Sequence, residues 1–106
     1  MALFNVGTRS RSEERLSKLA RRIAERSWSE VSRRILGLHS EMSSSEARGY
    51  IRARAAVVVQ REVNLAFMHD RRLRAVDRCK LITLVTDALV NSIFREGVSS
   101  GHRVAA

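Results

Sequence analysis

The sequence predicts an all-α fold, a small up-down bundle of three long segments, and three observations carry that expectation. The 106 residues include no proline and five glycines. Proline breaks helix interiors and glycine weakens them, so their scarcity favours long helices. Leu, Ala, Arg and Glu, all good helix formers, are abundant. Apolar residues recur at three- and four-residue spacing along most of the chain. They make up 44% of it, enough for one core in a single domain of this length.

The expected organisation is an N-terminal arm over residues 1–9, one helical domain over 10–97 and a C-terminal tail over 98–106. Within the domain the spacing places helices at about 11–26, 28–37, 44–68 and 71–96. Ser10 with Glu13 fits a capping box, in which the serine oxygen accepts an orphan amide and the glutamate reaches back. Leu16, Leu19, Ala20, Ile23 and Ala24 then form one apolar face. Near Ser27 the pattern shifts to Trp28, Val31, Ile35 and Leu38. Ser27 with Glu30 fits a second capping box, so a break at this point is favoured over one helix with a drifting face. It splits the first segment and gives four helices. Gly37 is a suitable stop.

Leu38 to Ser45 reads as a linker, and Ser43 with Glu46 opens the next helix as a third capping box. That helix, Ala47 to Met68, has five apolar residues in a row at Ala55 to Val59 and no clean polar face. A helix apolar nearly all round is buried on most sides. Its cover exceeds what its own chain readily supplies, so self-association, most simply a symmetric dimer, is expected. Tyr50, Val57, Val58, Val59, Val63 and Phe67 are the candidate interface residues. Arg48, Arg52, Arg54 and Arg61 lie on the same helix and need partners where they approach the core, with Glu62, Asp77 and Asp87 available. The polarity rises at His69 and Asp70, where Asp70 is placed to cap a last helix; with no Gly or Pro to force a break, one helix running through residues 44–96 is the alternative. Val76, Cys79, Ile82, Val85, Leu89 and Ile93 are expected on its buried face, and Gly97 after its end.

The charge is the main pointer to function. Eighteen arginines and two lysines oppose 11 acids, for a net charge of +9. Such a surplus favours nucleic acid, an acidic protein surface or anionic lipid. Arg15, Lys18, Arg22, Arg26 and Arg33 fall within about 80° of one another at ~100° per residue, provided the first segment is one helix. A row of this kind is suited to tracking phosphates. The competing reading is a solvated helix face neutralised by Glu14, Glu25 and Glu30. A second basic cluster, Arg71, Arg72, Arg74 and Arg78 with Lys80, lies at the expected start of the last helix, where the helix dipole prefers anions.

Other chemistry is weakly signalled. His39 with Glu41, and Glu62 with His69 and Asp70, lack the spacing that aligns metal ligands on one helix face. Cys79, the only cysteine, excludes an internal disulfide and fits a reducing cytoplasm. It is expected to be buried and inert. There is no phosphate-cradling glycine loop, no Ser-His-Asp set, no secretory leader and no stretch apolar enough to span a bilayer. Five aromatics offer few platforms for base stacking. The chain therefore reads as a non-enzymatic, basic, cytoplasmic and oligomeric binding module without metal or cofactor. It contacts nucleic acid or another polyanion through an arginine-rich helix face. The alternative is a helical adaptor or assembly subunit whose arginines are surface and interface residues.

Overall fold

The computed structural model describes residues 11–35 and 42–96. Expectations for the two ends, for Ser10, Gly37, Leu38, His39, Glu41 and Gly97 fall outside the described residues. Among the described residues the chain is all-helical, with three helices packed together: α1 (Arg11–Arg34), α2 (Ser44–His69) and α3 (Asp77–Glu96).

The expected break at Ser27 does not occur. α1 runs uninterrupted, and Leu16, Ala20, Ile23, Ala24, Ser27, Val31 and Ile35 form one buried face. These residues span about 120° at 100° per residue, so the two stripes are one face with gradual drift. The sequence reads as broken because a serine holds the middle buried position. Ser27 is 3% exposed, and its hydroxyl has no hydrogen-bond partner among the described residues. Glu30 does not reach back to it and instead pairs with arginines.

α2 begins as its sequence specifies. Ser43 Oγ accepts from the Glu46 N–H at 3.1 Å, and the Glu46 carboxylate accepts from the Ser43 N–H at 2.9 Å. Ala47, Ile51, Ala55, Val58, Val59 and Val63 face inward. The helix ends at Asp70, whose N–H donates to the Ala66 carbonyl at 2.9 Å.

The last helix starts six residues later than expected. Asp70 Oδ1 accepts from the Arg72 N–H at 3.0 Å and from Arg72 Nε at 3.3 Å, while the Leu73 N–H donates to the Asp70 carbonyl. An aspartate that bonds the backbone two residues on favours a turn over a helix. Asp77 closes the connection by accepting from the Arg74 N–H at 3.1 Å. Val76 consequently lies outside α3 and is 74% exposed, and Cys79 is exposed rather than buried. The inward face of α3 is Leu81, Val85, Thr86, Leu89, Val90 and Ile93.

α2 and α3 form an antiparallel hairpin. Arg52 pairs with Asp87 at 3.3 Å and Arg48 with Asn91 at 2.8 Å, so stepping back along α2 advances along α3. α1 packs against both helices of the hairpin. Glu13 meets Lys80 at 3.7 Å and, further along both helices, Arg21, Ala24, Glu25 and Trp28 border a hollow with Ala88, Leu89 and Ser92, so α1 runs in the same direction as α3. Glu30 ties α1 to α2 through Arg61.

The core lies between the three helices. Ile51, Ala55, Val58, Val59, Val63, Leu81, Val85 and Leu89 have no exposed surface. Val58, Val59 and Val63 are thus buried by this chain's own helices and are not available as an interface with another copy. α2 also has a solvent side, where Arg52, Arg54, Gln60, Arg61 and Asn64 are exposed. Val57 at 64% and Met68 at 75% lie among these polar residues, as does Leu65.

Candidate nucleic-acid interface

The unbroken α1 decides the geometry of the basic stripe. Arg15, Lys18, Arg22, Arg26 and Arg33 all lie on one helix, on the side away from its buried face, and all are exposed. Arg11 belongs to the same stripe at 100° per residue and is exposed too. Sequence reasoning missed it although the expected helix begins at residue 11 and the same periodicity places Arg11 in the row. From Arg11 to Arg33 the row is about 33 Å long.

Of the acids expected to neutralise this row, Glu30 is turned elsewhere. Glu30 accepts both ends of the Arg61 guanidinium, at 2.5 and 3.0 Å, and pairs with Arg34 at 3.4 Å. Those hydrogen bonds, aided by the two positive charges and opposed by partial burial, hold the Glu30 carboxyl down at about 2. The same contact raises Arg61 above the usual arginine range. Glu14 and Glu25 make no ion pair with the stripe among the described residues, and Arg33 donates to Ser29 Oγ at 3.4 Å. Asp70 lies within electrostatic reach of Arg15 in the row. Its carboxyl is lowered chiefly by the Arg72 backbone and side-chain hydrogen bonds, and the charge of Arg15 contributes.

The second cluster is rearranged. Arg71, Arg72 and Arg74 sit in the α2–α3 connection and are exposed, outside any helix. The conflict with the helix dipole thereby disappears. Arg72 and Arg74 are engaged by Asp70 and Asp77 at 3.3 and 3.8 Å. Arg78 is half-buried, with its guanidinium 5.9 Å from the Phe67 ring centre. Only Arg71 of this cluster has no recorded partner among the described residues. The influence of Arg15 on Asp70 brings the connection near the N-terminal end of the α1 row.

The arginines of α2 lie at the helix margins and not in the core. Arg52 and Arg61 find Asp87 and Glu62, two of the expected partners, whereas Asp77 serves Arg74. Arg54 packs over Tyr50 at 5.2 Å and Arg48 over Phe94 at 4.5 Å. Of the ligand-type residues, Glu62 is taken by Arg61 and Asp70 by Arg72, while His69 Nδ1 lies 2.8 Å from the Leu65 carbonyl. No group of three metal-binding side chains occurs among the described residues. No described helix is long and apolar enough to cross a membrane.

Trp28 is half-buried against the core. It also borders an open hollow of about 430 Å³ between α1 and α3, with Arg21, Ala24, Glu25, Ala88, Leu89 and Ser92. A smaller hollow of about 280 Å³ lies between α2 and α3 and is lined by Arg48, Asn91, Phe94 and Arg95. Sequence reasoning missed this second grouping, because its members converge only when α2 and α3 pair. Comparison with protein-family models, curated proteins and solved structures gave no significant match to this chain.

Proposed function

We propose that this chain is a non-enzymatic basic binding module that contacts nucleic acid through the outer face of α1. The observation that carries the reading is the exposed row Arg11, Arg15, Lys18, Arg22, Arg26 and Arg33 on one unbroken helix, with the nearby glutamate Glu30 committed to Arg61. A row of guanidinium groups recognises regularly spaced phosphates without reading bases, and gains affinity by releasing counterions. Exposed Arg71 extends the positive surface at the connection.

The test is the salt dependence of duplex binding. One phosphate contact for each of the six residues gives a slope of log K against log salt of about −5.4. The Arg22→Gln, Arg26→Gln double variant should reduce its magnitude by ~2 and weaken binding to all sequences alike. Absence of nucleic-acid binding by the intact chain at low salt defeats the reading.

A second reading is an adaptor that binds a protein through the solvent side of α2, with self-association as its simplest form. Exposed Val57, Leu65 and Met68 favour it, together with half-buried Tyr50 and Phe67. Arg54 lies beside Val57 on that side, so an acidic partner is better matched than a second copy carrying the same +9 charge. Sedimentation of the intact chain, alone and with Val57→Asp and Met68→Asp introduced, tests the self-associating form.

A further inference from the structure

We infer that the hollow between the start of α2 and the end of α3 is a binding site for a phosphomonoester dianion, held by Arg48 and Arg95. The reading is independent of the α1 row, since the site belongs to a different pair of helices. Arg48 is the anchor. Its guanidinium lies over the Phe94 ring, 4.5 Å from the centre, and its Nη1 donates to Asn91 Oδ1 at 2.8 Å. One ring face and one hydrogen bond fix the plane of the fork while its other N–H groups have no recorded acceptor. Arg95 lines the same hollow, is exposed and has no recorded partner among the described residues.

Two of the nearby acids are occupied. Glu46 reaches back to the Ser43 N–H, and Asp87 pairs with Arg52. Two positive charges on planar, multiply donating groups suit a doubly charged phosphate better than a single carboxylate. The hollow, at about 280 Å³, is at or below the small end of ligand sites, which run from ~300 Å³. It fits a phosphate group with the rest of the ligand outside. Inorganic phosphate and a nucleoside 5′-monophosphate share this chemistry.

The experiment titrates the intact chain with inorganic phosphate, with adenosine 5′-monophosphate and with adenosine, at constant ionic strength set by chloride. The readout is the arginine side-chain Nε–H resonances. Saturable shifts are expected at Arg48 and Arg95 with both phosphates and not with adenosine. Tighter binding of the monophosphate than of phosphate identifies a nucleotide as the better source, and equal binding identifies phosphate alone. Arg95→Ala, which removes no contact between helices, should weaken binding about tenfold while leaving the melting temperature unchanged. Arg48→Lys, which keeps the charge and loses the fork, should weaken it similarly. Arg26→Ala should not. Non-saturating shifts, shifts confined to α1 arginines, or wild-type binding by Arg95→Ala each overturn the assignment.

Discussion

At the scale of single residues, the arginines divide by what the fold gives them to do. Glu30 shows the division most clearly. It lies between Arg34 of α1 and Arg61 of α2, and its proton affinity reflects that contact. Its folded value of about 2 lies below the ordinary 4.5. A depressed carboxyl contributes stability that is present above the ordinary value and lost as pH falls through the folded one. The contribution should therefore fade between pH 4.5 and 2. Carboxyl resonances followed through acid titration should place Glu30 near 2, and Arg61→Gln should return it toward 4.5. Stability curves of Glu30→Gln should lose that part of the acid dependence. Gly49 is a different kind of residue-scale case. It lies inside α2, is exposed, and a methyl group added there meets nothing within 4 Å. Gly49→Ala should raise unfolding free energy by about 0.5–1 kcal/mol, read by denaturant melts, because the unfolded chain loses freedom and the folded one gains no clash.

At the scale of elements, local signals succeeded where they were self-contained. The Ser43–Glu46 box needs four consecutive residues and nothing else, and it formed as read. Ser43→Ala should cost about 1 kcal/mol, measured by the same melts, since it strands the Glu46 N–H. Local signals failed where a tertiary neighbour competed. Ser27 and Glu30 have the same box spacing, but Arg61 takes the glutamate and core packing takes the serine. Asp70 was legible as a helix-terminus residue. Its side chain serves the turn after α2 rather than the first turn of α3, and this moved the last helix to Asp77. That shift left Val76 outside the helix and Cys79 exposed in its first turn, while Val85, Leu89 and Ile93 kept the buried face and Leu81 joined them.

At the scale of the whole molecule, the near-absence of a polar face on α2 had pointed to a core finished by another copy. The structure supplies that cover internally, because Ile51, Ala55, Val58, Val59 and Val63 are buried in one core with residues of α1 and α3. A Val57→Asp, Met68→Asp variant should consequently stay folded, with unfolding free energy within about 0.5 kcal/mol of the parent, as for ordinary surface substitutions. If sedimentation shows the parent to be a dimer, the same variant should sediment as a monomer. A dimer that survives both changes removes the solvent side of α2 as the interface.

The amino-acid sequence alone determined the helical class, the start of α2, most of the buried positions of α1 and the angular alignment of its basic row. Each depends on spacing within one helix, which the backbone geometry dictates. Tertiary structure decided whether α1 continues past Ser27, and hence whether Arg33 joins the row. It also decided that Glu30 pairs with Arg61 instead of with that row, and that Val58, Val59 and Val63 of α2 face their own core. Those outcomes rest on contacts between residues far apart in the chain, such as Glu30 with Arg61 and Arg48 with Asn91. No local pattern encodes them, because the free energy that selects them exists only once the helices pack.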